Sequence, residues 1–208
     1  MYALYYAPGS ASMLAHLLLL EIGAPHKLRR VDLDAGGQRD PEYLKLNPGG
    51  VVPTLIVDGA PVCETAAITL LLTERHPEAR LAPPPGAPDR GKFLQWVLFL
   101  ANGLQPAFRG WFYPEAEAPE LDTIKANFRK RIEAAFTRLD AHLAAHGPYI
   151  LGAEPGAVDL YATMLMRWSR NMPRPATGWP HLAALAASIK ARPSWQRLYA
   201  IEGLTEWA

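Results

Sequence analysis

Residues 5–23, YYAPGSASMLAHLLLLEIG, change their periodicity within a few positions. An apolar strand pattern ends at Pro8-Gly9, two serines follow, and a leucine-rich helical pattern runs from Ser12 to Ile22. Hydroxyls at the mouth of a helix have two uses. They cap unpaired backbone N–H groups, or they steady an anion together with those groups and the positive end of the helix dipole.

Outward from this stretch the same alternation of periods continues. HKLRRVDL alternates as a strand, VPTLIV is a second apolar strand, and APVCE follows the Asp58-Gly59 turn. A clear helical pattern then occupies 65–75. The order is β-α-β and then β-β-α. A helical crossover makes the first pair parallel and a DG turn makes the last pair a hairpin, which together give a mixed four-strand sheet with helices. PEARLAPPPGAPDR, with five prolines between Pro77 and Pro88, breaks any regular pattern and is assigned as a linker over 79–88. Helical patterns follow over 91–112, 120–145 and 157–169, with two short ones after Trp179 and Pro193. The expected architecture is an α/β domain at 1–78, the linker, and an all-α domain at 89–208.

Composition narrows the function classes. The chain has 208 residues, half of them hydrophobic, enough for two small cores. Lys and Arg number 21 against 20 Asp and Glu, and this balance gives no electrostatic reason to expect nucleic acid or an anionic membrane as a partner. The single cysteine, Cys63, excludes an intrachain disulfide, and together with the absence of a signal-like start it fits a cytoplasmic address. The leucine run at 17–20 is far below the roughly 20 apolar residues that span a bilayer.

Other local features carry chemistry. In NPGGVVPTL, residues 47–55, a turn leads into a strand with a proline near its start, so the backbone beside Pro53 is available for something other than sheet pairing. In CETAAITLLL, Glu64-Thr65 stand just before a helix. An acid followed by a hydroxyl describes a cap, and it equally describes a clamp for a zwitterion, the hydroxyl and helix N–H groups taking a carboxylate and the glutamate an ammonium. No cysteine stands at the first helix mouth, where the dipole would lower a thiol pKa, so dithiol exchange is not expected. His142 and His146 lie four apart but lack an acid between them and a third ligand, so no metal is expected. NPGG lacks the spacing and lysine of a phosphate loop.

Taken in this order, YYAPGSAS, NPGGVVPTL, the ET pair, the proline linker and a helical second half ending in WPHLAALAASIKARPSWQR resemble cytosolic glutathione transferases over essentially the full chain. The likeness is bacterial and beta-like overall, with a delta- or theta-like serine at the active-site position. It implies a thioredoxin-like first domain that binds glutathione as co-substrate. Val52 would offer its main chain to the cysteinyl part beside a cis bond to Pro53, Glu64 and Thr65 would hold the γ-glutamyl end, and Arg39 would assist. Ser10 would donate to the sulfur, with Ser12, Tyr6 and Tyr5 as alternates. The beta-class cysteine position falls on Ala11, and a histidine and lysine of that class appear as Gln105 and Pro106. Phe108, Trp111, Tyr113, Trp168 and Met172 would line an interdomain pocket for a small apolar or aromatic electrophile, and the chain would form a homodimer. Two other classes are weighed: a binding protein that keeps the glutathione cradle without catalysis, and a glutathione-dependent reductase, against which the missing helix-mouth cysteine argues.

Overall fold

The computed structural model describes residues 1–115 and 119–207. The chain divides into two compact units. One comprises Met1–Ala82 together with the segment from Lys190 onward, and the other Pro83–Ile189.

In the first unit, β1 (Tyr2–Tyr6) leads through the serine loop into α1 (Ser12–Ile22), which ends at Gly23 in the left-handed conformation. Ser12 through Leu19 are all buried, so α1 is covered on every side rather than on one stripe. β2 (His26–Arg30) returns parallel to β1. β3 (Thr54–Val57) runs antiparallel to β1 on its other side, and β4 (Ala60–Cys63) pairs with β3. The sheet order is β2-β1-β3-β4. The hairpin turn has Asp58 at φ 52° and Gly59 at φ 86°, the two positive values that match the twist of antiparallel strands. α3 (Thr65–Arg75) completes the expected βαβ-ββα order.

A short helix that the periodicity does not announce, α2 (Pro41–Leu46), lies between β2 and β3 after a 3-10 turn at Gly37–Arg39. Six residues are too few to establish a 3.6-residue period. Its start is nonetheless written in Asp40-Pro41: the Asp40 carboxylate accepts from the N–H groups of Glu42 and Tyr43, and proline takes the first helical position.

The second unit begins with α4 (Arg90–Phe99), which passes through a π-helical segment (Leu100–Leu104) into α5 (Gln105–Phe112). α6 (Leu121–His146) packs against α5 so closely that a Cβ on Gly110 would meet the Phe128 ring at 2.2 Å. α7 (Ala157–Trp168) is buried almost throughout, and α8 (Pro180–Lys190) follows. The last helix, α9 (Pro193–Glu202), groups with the first unit, where the sequence assigned everything after residue 88 to one helical domain.

Asp159 in α7 has no exposed surface. Its two oxygens accept from the N–H groups of Ile150 and Gly156, both at 2.8 Å, the second being the reach back to the N-cap residue that forms one half of a capping box. Burial pushes its carboxyl from 3.8 up to about 6, although the backbone bonds pull the other way. The folded chain therefore holds this proton where the unfolded chain has lost it. The associated stabilisation is complete below about pH 4 and is lost as pH rises through about 6, up to ~3 kcal/mol. The stability difference between the wild type and Asp159→Asn, from urea denaturation, should fall steadily between pH 4 and 7. A pH-independent difference contradicts the raised value.

Candidate functional site

One row of the sheet gathers the sequence motifs. Tyr5 pairs with Thr54, and Thr54 with Cys63. The serine loop after β1, the Val52-Pro53 segment before β3 and the Glu64-Thr65 pair after β4 consequently leave the sheet at the same end. The loop after β2 starts there too, since Val31 N–H donates to the Tyr6 carbonyl at 2.8 Å. Ala7, Val31, Tyr43 and Val52 form one buried cluster with Tyr5 against it, which ties the first two loops together.

Within the serine loop the two hydroxyls are unequal. Ser12 is fully buried, and its Oγ accepts from Ala7 N–H and donates to the Ala7 carbonyl, both at 3.1 Å. That use of its one proton makes Ser10 the donor in the 2.8 Å contact between the two hydroxyls. Ser10 is only half-buried, and its Oγ also accepts from Ser12 N–H at 3.2 Å, in the manner of a cap. Ser12 thus closes the loop, while Ser10 is the less buried of the two serines at the mouth of α1. The two tyrosines point to opposite faces, as neighbours on a strand must. Tyr6 is buried against His16, and Tyr5 lies against Tyr43 with ring centroids 5.5 Å apart.

The Val52-Pro53 bond is cis, and β3 starts only at Thr54, so this segment is outside the ladder as its proline suggested. Arg39 is exposed, with Nη1 beside Gly50 in the turn that precedes Val52. Glu64 has φ 69°, a left-handed conformation that costs a non-glycine residue of order 1–3 kcal/mol. Its exposed carboxylate caps no N–H of α3, which removes the plain capping explanation. Thr65 is buried at the first position of α3. Cys63, the one thiol, is half-buried at the end of β4 with Sγ 3.8 Å from the Leu46 carbonyl.

Two groups of residues were not legible in the sequence. The first is a buried polar cluster of Tyr43, Asn47 and Thr54 around the Val51 carbonyl. The second comes from α9. Glu202 Oε2 accepts from Gly9 N–H at 2.9 Å and Oε1 meets His16 Nδ1 at 2.8 Å, with neither side chain exposed. At the other end of α1, Glu21 accepts from Arg192 Nε and Nη2, at 2.6 and 2.7 Å, and from the Ser194 hydroxyl. Burial pushes the Glu21 carboxyl up, but the Arg192 and Ser194 bonds outweigh it and hold it below 4.5. Nothing local in the sequence connects residues nearly two hundred positions apart.

In the helical unit the expected electrophile residues separate by exposure. Phe108 is fully buried between Phe136 and the edge of Trp168, and Met172 is buried as well, so both belong to the core rather than to an accessible lining. Their place on the helices put them in register with the other aromatics, and periodicity does not distinguish core from pocket. Trp111 and Trp168 are half-buried and Tyr113 is 70% exposed. Gln105 accepts a hydrogen bond from the Tyr161 hydroxyl. His142 packs against Trp96 with the rings tilted by 51°, and its Nε2 meets the Ile150 carbonyl. Among the described residues no three ligating side chains gather as a metal centre would. No described helix is long and apolar enough to cross a membrane.

Removing the Glu202 carboxylate should strand the His16 imidazole in the interior and take one hydrogen bond from the half-buried Gly9. Glu202→Ala is expected to cost roughly 3 kcal/mol or more in urea denaturation. A loss under about 1 kcal/mol would mean that water or a neighbour replaces the carboxylate.

Comparison with known proteins agrees with this arrangement. Residues 4–80 match the family profile of the glutathione S-transferase N-terminal domain, and residues 122–188 that of the glutathione S-transferase C-terminal domain. The chain is 29% identical to a glutathione S-transferase GstA of Escherichia coli O157:H7 over 204 residues, 97% of this chain and 98% of that one. The solved ternary complex of BphK, a bacterial glutathione S-transferase, superposes with a TM-score of 0.88 at 31% identity, covering 97% of this chain and all of that one. A sphingomonad glutathione S-transferase complexed with glutathione superposes at 0.87 with 29% identity, covering 98% and 100%. With both domains matched in order and the sheet end built as described, the chain belongs to the glutathione S-transferase family.

Proposed function

We propose that the protein is a glutathione transferase in which Ser10 stabilises the glutathione sulfur as a thiolate for attack on a small apolar or aromatic electrophile. The observation that carries this is the asymmetry of the serine loop: Ser12 is fully buried and bonded to both backbone groups of Ala7, whereas Ser10, at the start of α1, is only half-buried and its hydroxyl bonds to no residue but Ser12 among the described residues. The solved sphingomonad relative with bound glutathione supports the choice of ligand.

The energies are sufficient. A free thiol with pKa ~8.5 is a few per cent ionised at neutral pH, and lowering that value by ~2 units requires roughly 2.7 kcal/mol. A hydrogen bond to a charged acceptor supplies about 1.5–3 kcal/mol and a helix N-terminus up to about 1–2. The Ser10 hydroxyl turns from Ser12 to the sulfur, so the bond gained on binding replaces a neutral one with a charge-assisted one.

The rest of the ligand follows the same end of the sheet. Val52 offers main-chain groups to the cysteinyl part like an added strand, next to Pro53. The Glu64 carboxylate takes the γ-glutamyl ammonium, Thr65 and the N-terminus of α3 take the α-carboxylate, and Arg39 is left for the glycyl carboxylate. Of the aromatic residues of the helical unit, we assign Trp111, Tyr113 and Trp168 to the electrophile, since they keep accessible surface. A homodimer in the cytoplasm completes the proposal.

Ser10→Ala should lower kcat with a chlorodinitrobenzene electrophile at least tenfold and leave glutathione affinity within about threefold, since one hydroxyl out of many contacts is lost. Unchanged turnover would move the role to Ser12 or Tyr5. Tight glutathione binding beside flat kinetics across varied electrophiles would make the chain a binding protein of the same fold.

A further inference from the structure

On the glutathione-binding function proposed above, we propose that Tyr43, Asn47 and Thr54 are positioning residues that orient and polarise the Val51-Val52 peptide for the ligand. Every proton in this cluster has a destination. The Tyr43 hydroxyl donates to the Val51 carbonyl at 2.6 Å, and the Asn47 amide donates to the same oxygen at 2.8 Å. The second amide proton of Asn47 goes to Thr54 Oγ1 at 3.2 Å. With the Tyr43 proton already spent, the 2.9 Å contact between Tyr43 and Thr54 is a donation from the threonine to the phenol oxygen. Asn47 Oδ1 accepts from Gly49 N–H at 3.0 Å, which fixes the amide's orientation.

Both lone pairs of the Val51 carbonyl are therefore filled by buried donors. Tyr43 is 6% exposed, Asn47 4% and Thr54 not at all. That carbonyl shares its peptide unit with the N–H of Val52, the group assigned to the cysteinyl part of glutathione. In a trans peptide the C=O and N–H point in opposite directions, so pinning the oxygen inward sets the N–H outward. Two donors on one carbonyl also withdraw charge from the peptide, and a polarised N–H is a better donor. The same tyrosine ring sits in the cluster with Ala7 and Val52, so one side chain holds the serine loop and the ligand-pairing segment in a common frame.

The hydroxyl stays protonated through the neutral range. Burial pushes Tyr43 above its ordinary value of 10, against the opposing pull of the neighbouring Thr54 and Asn47 side chains. This arrangement uses the cluster for something that folding alone does not require. An apolar residue would fill the same space, but it would leave the Val51 carbonyl without one of its two donors.

The test is calorimetric titration of the full chain with glutathione, beside steady-state kinetics. Tyr43→Phe removes only the hydroxyl and should raise the glutathione Kd and KM about fivefold. kcat at saturating glutathione and KM for the electrophile should stay unchanged. Asn47→Asp keeps the acceptor for Gly49 N–H and replaces the donors with an oxygen facing the Val51 carbonyl, so it should weaken binding further. Thr73→Val, which removes a buried hydroxyl bonded to the Thr69 carbonyl in α3, is the stability control and should leave the Kd alone. Wild-type affinity retained in both folded cluster variants overturns the proposal and leaves the proposed function standing, as does an equal shift in Thr73→Val. No glutathione binding by the wild type overturns both. Should Asn47→Asp fail to fold, Tyr43→Phe decides alone.

Discussion

Thr54 pairs with Tyr5 on one side and Cys63 on the other, and the site depends on that register. A shift of one residue would turn each strand's side chains to the other face and would carry the serine loop, the cis proline and the Glu64-Thr65 pair to different heights. The register is held by burial: Leu4 and Leu55, opposite each other in β1 and β3, have no exposed surface. Three short motifs scattered through the first third of the chain thereby become one surface. Each carries local features that a packed core has no need of, namely a half-buried serine, a cis bond to proline and a glutamate at positive φ.

Buried polar groups then set the fine geometry. On one side of the site the Val51 carbonyl is fixed by Tyr43 and Asn47, and on the other Gly9 N–H is fixed by Glu202. Satisfied bonds of this kind contribute modestly to net stability, but leaving one partner unpaired in the interior is costly, so each bond narrows the conformations available. α9 bonds to both ends of α1, through Arg192 and Ser194 to Glu21 and through Glu202 to Gly9 and His16. The carboxyl-terminal segment is consequently part of the first unit's structure, although it is reached only after the whole helical unit.

The sequence disclosed what is local. Period changes marked the four strands, α1 and α3, the DG turn marked the hairpin, and Pro53 marked a segment outside the ladder. α2 escaped because six residues cannot show a helical period, and with it went Tyr43, which looks like any half-apolar residue in PEYLKL. The contacts of Glu202 escaped because they are long-range, and a glutamate before a glycine at a helix end carries no sign of burial. Phe108 and Met172 illustrate the reverse error: aromatic and sulfur side chains at helical spacing satisfy a pocket pattern and a core pattern equally, and here packing places them in the core. In PGSAS only the family resemblance preferred Ser10 to Ser12, because what separates the two hydroxyls physically, burial and bonding to Ala7, is not local in the sequence.

The central claim is that the thiol of glutathione sits against the hydroxyl of Ser10. A crystal structure of the protein with glutathione tests it most directly. The account predicts the sulfur within about 3.2 Å of Ser10 Oγ, with Ser12 Oγ still engaged by Ala7. A sulfur placed against Tyr5 or Ser12, or a tripeptide bound away from this end of the sheet, would contradict it.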